Sequence, residues 1–181
     1  LSLSIVERIS KLYGLKIHHV EKLKTHGGSL RVWLSHQEYG TSTKNVNDVL
    51  REEKELKLES LETYNGFQKR AERSKNNLIK FLINCYEEDN KIIGYGAAAK
   101  GNTMLNYAGI KSDLLPFVAD NAPSKQGMYL PGSHIPIIKP DLLKDIRPYG
   151  ILVLPWNLIK EISISLPDYK LITSIPDLKF W

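Results

Sequence analysis

Apolar residues recur at three- and four-residue intervals over residues 3–13, where Leu3, Ile5, Val6, Ile9, Leu12 and Tyr13 share the segment with Glu7, Arg8 and Lys11. This spacing predicts an amphipathic helix, which Gly14 ends. Leu15, Ile17 and His19 then alternate with Lys16 and His18, the period of a strand, and residues 30–34 form a second strand. The intervening KLKTHGGS has two glycines to supply a positive φ, so the strands are expected to form an antiparallel hairpin. Residues 37–47 are polar and turn-rich. From Val46 a long helical pattern follows through Val49, Leu50, Leu58, Leu61, Tyr64 and Phe67, and again through Leu78, Phe81, Leu82 and Cys85. Gly66 or the stretch RAERSKNN is expected to kink or divide it.

The texture changes at Lys91. Ile92-Ile93 starts a short strand, Gly94 to Gly96 a turn, and residues 103–107 a helix. Further strands are expected over residues 115–119, 135–138, 151–154 and 170–175, with helices over residues 140–145 and after Trp156. The run 151–154 is wholly apolar, as in a central strand covered on both faces. This alternation implies an α/β fold, a Rossmann-like and mostly parallel sheet flanked by helices, preceded by a helix and a β-hairpin. Three segments follow: 1–40 with the helix and hairpin, 41–90 a helical connector, and 91–181 the Rossmann-like domain.

Composition narrows the picture only a little. With 181 residues, 42% apolar and 25% charged, the chain is an ordinary globular one. No run approaches the ~18–20 apolar residues of a membrane span. Cys85 is the single cysteine, which excludes an internal disulfide or a cysteine-based zinc cluster and suits a reducing cytoplasm. The net charge of +5 is spread along the chain without a basic stripe interleaved with aromatics, so nucleic acid is not the expected partner. Scattered cations near a cleft suit a phosphorylated metabolite equally well.

Three segments carry candidate chemistry. Gly94-Tyr95-Gly96-Ala97-Ala98-Ala99 matches G-x-G-x-x-A between a strand and a helix, and Asp120 ends the next strand where a ribose-binding acid would stand. Either a dinucleotide phosphate approaches this turn, or the small residues simply let the helix pack close to the sheet. Lys100, Asn102 and Thr103 add a cation and two polar side chains, the latter possible helix caps. His134 lies in a long loop, and loops of that length are often functional. His26 stands beside Gly27 and Gly28 in a turn with room for a substrate, and a histidine can remove a proton at neutral pH; an exposed turn histidine is the plain alternative. His18, His19 and His36 show no metal-ligand spacing, so no metal site is expected.

THGGSLR (25–31), GYGAAAKGNTMLNYAGI (94–110), KQGMYLPGSHIPI (125–137) and LPWNL (154–158), in this order, resemble the C-terminal region of nucleotide-sugar C-methyltransferases over residues 14–176. These S-adenosyl-L-methionine (SAM)-dependent enzymes place a methyl branch on a deoxysugar. Their parts are a zinc-binding N-terminal domain, a central SAM-binding domain and a C-terminal Rossmann-like domain. The resemblance implies that residues 1–40 are the closing helix and hairpin of a truncated SAM-binding domain, that SAM is bound mainly by a domain absent from this chain, and that zinc belongs only to an absent N-terminal domain. It implies a 4-keto-hexose linked to dTDP or another nucleoside diphosphate as substrate, with His26 as the base at C3. Gly27, Gly28, Arg31, Tyr95, Lys100, Asn102 and His134 would bind that substrate. The implied enzyme is cytoplasmic and compatible with a homo-oligomer. A stand-alone NAD-binding domain and a cleft-closing domain without catalytic activity remain as alternatives.

Overall fold

The structure, a computed structural model, describes residues 1–181. The chain divides into two compact units, Leu1–Gly66 and Phe67–Trp181.

The first unit is built from helix α1 (Leu3–Leu12), strands β1 (Leu15–Leu23) and β2 (Ser29–His36), helix α2 (Lys44–Glu55) and the single turn α3 (Leu61–Tyr64). The start of α1 is satisfied twice. Ser2 caps the N–H of Ile5, and the Glu53 carboxylate accepts from the N–H groups of Leu3 and Ser4 at 2.6 and 2.8 Å. That carboxylate ties α2 to α1, and Leu3, Ile17, Val20, Val46 and Val49 close a small core between them and the hairpin. The strands are antiparallel, as expected, with Val20 opposite Val32 and Leu23 opposite Ser29.

Two local expectations need correction here. The alternation over Leu15, Ile17 and His19 breaks, because the register shifts between Ile17 and His19. The extra residue moves Val20, not His19, onto the core face. The long helical pattern breaks first at Lys57, which takes φ 52°, and again at Gly66 with φ 79°. Thr63 and Tyr64 hydroxyls donate to the Lys57 and Leu58 carbonyls at 2.7 Å each, satisfying the broken turn. The stretch RAERSKNN, in contrast, runs uninterrupted inside helix α4 (Phe67–Glu87).

The second unit holds a six-stranded sheet formed by β3 (Ile92–Tyr95), β4 (Val118–Ala119), β5 (Ile137–Ile138), β6 (Gly150–Val153), β7 (Leu171–Thr173) and β8 (Lys179–Phe180). Its order is β5-β4-β3-β6-β7-β8. All neighbours are parallel except β8, which returns antiparallel along β7 and is an edge strand the hydrophobic pattern does not announce. Helices α4 and α5 (Ala99–Ala108) cover one face, where Leu78, Leu82 and Leu105 meet Ile92, Leu152 and Ile172. Helices α6 (Leu143–Ile146) and α7 (Ile159–Ser165) cover the other, where Leu143, Ile159 and Ile162 meet Ile93, Ile151 and Val153. Consecutive residues of β3 and β6 therefore enter opposite cores, which is why both strands read as continuous apolar runs. The chain runs outward from β3 through β4 to β5, then crosses to β6 on the other side of β3. That reversal is the topological switch point where ligands of such sheets usually bind, at the carboxyl ends of the strands.

Candidate functional site

In the first unit, β1 and β2 join through a turn over Thr25–Gly27. His26 takes φ 57° there, followed by Gly27 at 85° and Gly28 at 122°. Three successive positive φ values hold an exposed imidazole at the hairpin tip, and a non-glycine residue adopts that conformation only at a cost of about 1–2 kcal/mol. A Cβ at Gly28 would meet nothing within 4 Å, so this glycine serves backbone conformation and open space, not packing. Gly28 N–H donates to the Thr25 carbonyl at 3.0 Å and the Ser29 hydroxyl to the same oxygen at 3.1 Å, which fixes the turn. Arg31 pairs with Glu21 across the strands at 3.2 Å, and its guanidinium lies 5.9 Å from the centre of the Trp33 ring. Its visible work is to join the two strands.

In the second unit, Gly94 and Tyr95 are strand residues and only Gly96, at φ 84°, turns the chain. The turn therefore starts two residues later than the sequence pattern suggests. Each glycine admits protein. A Cβ at Gly94 would lie 2.8 Å from Val118 Cγ2, and one at Gly96 would lie 2.6 Å from Pro155 Cδ. A Cβ at Gly101, in the first turn of α5, would overlap the side chain of Leu154. Asp120 does not wait for a ribose. One carboxylate oxygen accepts from the Ala97 N–H at 2.6 Å and from Lys125 Nζ at 3.2 Å, the other from the Ala122 N–H at 2.8 Å. Lys125 Nζ also donates to the Ala97 carbonyl at 3.0 Å. Asp120 and Lys125 thus staple the glycine-rich turn to the loop after β4, and Pro155 packs against Gly96.

Helix α5 carries polar groups on two different flanks. At ~100° per residue, Lys100 falls beside Tyr107, and Asn102 beside Asn106 roughly opposite. Ala98 is the N-cap, so Asn102 and Thr103 are not caps; the Thr103 hydroxyl donates back to the Ala99 carbonyl at 3.0 Å. On the second flank the Asn106 amide donates to the carbonyls of Asn102 and Pro131 at 2.9 Å each, and Gly132 packs against it too closely for any Cβ. This brings the loop of His134 onto α5. His134 is exposed at φ 56°, with its N–H on the Leu130 carbonyl at 3.0 Å. Beside it, Ser133 is only 4% exposed, and its hydroxyl and the Asn102 side-chain oxygen are buried without a hydrogen-bond partner. Buried polar atoms left unsatisfied are costly and uncommon, and a ligand hydroxyl or amide would satisfy such atoms. Tyr95 lies on the other face of the sheet, where its hydroxyl accepts from the Asn121 amide at 3.0 Å beside a cavity of about 350 Å³ at the switch point.

Residues 24–174 match the C-methyltransferase C-terminal domain. The chain belongs to this family. It is also similar to C-methyltransferase NovU of Streptomyces niveus, with 30% identity over 151 residues. That alignment covers 83% of this chain and 36% of NovU, so the chain spans about a third of that relative's length. The matched segment starts two residues before His26 and ends past β7, so it takes in the hairpin tip and the sheet edge together.

Sequence reasoning missed Ser133, Asn106, Lys125 and the true partner set of Asp120. The signal available for the first two was PGS in a long loop, with Asn102 and Asn106 four residues apart on a helix. Of the remaining candidates, Cys85 offers no nucleophile. Burial pushes its thiol up from the ordinary range, and Glu88 adds to the effect against a smaller opposing pull from Lys170. No helix is long and apolar enough to cross a membrane.

Proposed function

We propose that this chain is the C-terminal portion of a SAM-dependent C-methyltransferase acting on a 4-keto-deoxysugar joined to dTDP or another nucleoside diphosphate. The observation that carries the reading is His26, held in a left-handed turn just before Gly27 and the open Gly28, inside the segment matched to the C-methyltransferase family. A 4-keto group acidifies the neighbouring C3–H bond. The His26 imidazole takes that proton, the electron pair moves into the enolate, and C3 becomes the nucleophile. SAM, as co-substrate held by a domain outside this chain, supplies the methyl group to C3 and leaves as its thioether. Gly27 and Gly28 leave the room through which a sugar ring reaches the base. Arg31, Tyr95, Lys100, Asn102 and His134 are assigned to substrate binding, and the unsatisfied oxygens of Asn102 in α5 and Ser133 beside His134 support that role for those two positions. Such a biosynthetic enzyme would work in the cytoplasm. Zinc would belong to an N-terminal domain and forms no part of this chemistry.

The glycine-rich turn gives little support to a stand-alone NAD-binding domain, because Asp120, the acid placed for a ribose, is already bonded to the Ala97 and Ala122 N–H groups and to Lys125. It does favour a second, structural role for the same turn, locking α5 to the end of β6.

The test is His26→Gln in the full-length enzyme. General-base catalysis contributes about 10²–10⁴-fold, so methyl transfer is expected to fall by that factor while binding of the nucleotide sugar persists. Turnover within twofold of the parent enzyme would remove His26 as the base.

A further inference from the structure

The seam between α5 and the loop before β5 carries two polar atoms that the fold itself does not answer. The Ser133 hydroxyl and the Asn102 side-chain oxygen are buried, and neither has a hydrogen-bond partner. Other hydroxyls buried as deeply are satisfied. Ser10 donates to the Val6 carbonyl at 2.7 Å, and Thr173 accepts from the Trp181 indole at 3.0 Å. The seam is also firmly built. Asn106 Nδ2 bridges the carbonyls of Asn102 and Pro131, so one nitrogen joins the two elements that carry the orphan atoms. Gly132 lies against the same amide, where a Cβ would stand 2.2 Å from Asn106 Oδ1. Gly132 at φ 82° and His134 at φ 56° flank Ser133, so the chain turns tightly around a serine that stays inside while His134 is exposed.

We propose that Ser133 is a specificity-determining residue, and that with Asn102 it holds a hydroxyl group of the substrate. The chemistry of the two atoms selects that group. An amide oxygen only accepts, so its partner must donate, whereas a serine hydroxyl can do both. A ligand hydroxyl meets both demands at once, giving its proton to Asn102 Oδ1 and accepting the proton of Ser133. An ionised phosphate or a ketone oxygen has no proton to give, and either would leave Asn102 unsatisfied at a cost. The seam therefore reads a hydroxyl, and the phosphates and the keto group are held elsewhere. Placing that hydroxyl on a keto-sugar nucleotide rests on the methyltransferase reading; the demand for a donor rests on Asn102 alone.

Ser133→Ala tests the proposal, because losing an unsatisfied buried hydroxyl and losing a satisfied one differ in sign. In denaturant unfolding of the 181-residue chain the midpoint is expected to stay or rise, since no bond is lost. In the full-length enzyme the KM for the keto-sugar nucleotide should rise by about 2- to 12-fold, the worth of one neutral hydrogen bond, with kcat changed less than KM. Asn102→Ala should raise KM likewise. The double variant should lose less than the product of the two single factors, because both atoms serve one hydroxyl. A lowered midpoint for Ser133→Ala, with or without a change in KM, assigns its hydroxyl to the fold through a buried water and overturns the proposal. An unchanged KM overturns it as well, and losses that multiply place the two atoms on different groups and overturn the shared hydroxyl. An enzyme that methylates no keto-sugar sinks the methyltransferase assignment alone, and the midpoint of Ser133→Ala still decides whether the hydroxyl belongs to the fold.

Discussion

The hairpin tip and the edge of the main sheet both present glycines beside a candidate side chain, and they use them for opposite ends. At the tip, Gly27 and Gly28 follow His26 through positive φ, and space remains open where a Cβ at Gly28 would project. At the sheet edge, Gly94, Gly96 and Gly101 are filled against Val118, Pro155 and Leu154. The same letter thus marks access in one unit and contact in the other. A glycine motif is evidence for a ligand only when the space it opens is left empty, and here the shorter and less distinctive THGG passes that test while G-x-G-x-x-A does not.

The largest stability effect that would break this contrast lies at Asp120. If its carboxylate is a staple, Asp120→Ala strands the Ala97 and Ala122 N–H groups and one bond of Lys125. Unsatisfied buried donors cost ~1–3 kcal/mol each, while the half-exposed Lys125 regains water, so a total loss of about 2–4 kcal/mol is expected by denaturant unfolding. Hydrogen exchange should show the turn at Gly96–Ala98 opening first. A variant of full stability that had lost affinity for NAD would instead restore the dinucleotide reading.

Legibility followed the same division. The runs Ile92-Ile93 and 151–154 announced central strands because residues buried on both faces need no polar alternation. The hairpin was legible from its paired glycines. The bulge at His18 was not, because one extra residue changes which side chains face inward without changing composition. Nor was β8, where Lys179 and Phe180 form a strand only because β7 offers them an open edge. His26 could be nominated from its neighbours in the chain. The partners of Asp120 and the orphan oxygen of Ser133 could not, since each depends on residues brought from distant segments, such as Ala97 beside Asp120.

The next expected effect is smaller and is read by its sign. Gly101 lies in the first turn of α5 without a positive φ. Alanine there should stabilise an unhindered helix by roughly 0.5–1 kcal/mol. The overlap with Leu154 costs about 1–3 kcal/mol, as overpacking usually does, so Gly101→Ala is expected to be net destabilising by about 1–2 kcal/mol in thermal or denaturant unfolding. A more stable variant would show that the helix start stands clear of β6.

The smallest stability change is expected at Gly28, and a double-mutant cycle separates its cause from that at Gly101. Alanine at φ 122° is strained, but the tip is exposed and has freedom to relax, so Gly28→Ala should cost about 1 kcal/mol, the low end for such strain. Methyl transfer should fall further than stability does, because the relaxation displaces His26. Truncating Leu154 to Ala should recover part of the cost of Gly101→Ala, with a coupling energy of roughly 0.5–3 kcal/mol, as for residues in direct contact. No neighbour can play that part for Gly28, since nothing lies within 4 Å of its absent Cβ. A neighbouring truncation that rescued Gly28→Ala would mean the tip is packed, and the room assigned to the sugar beside His26 would be gone.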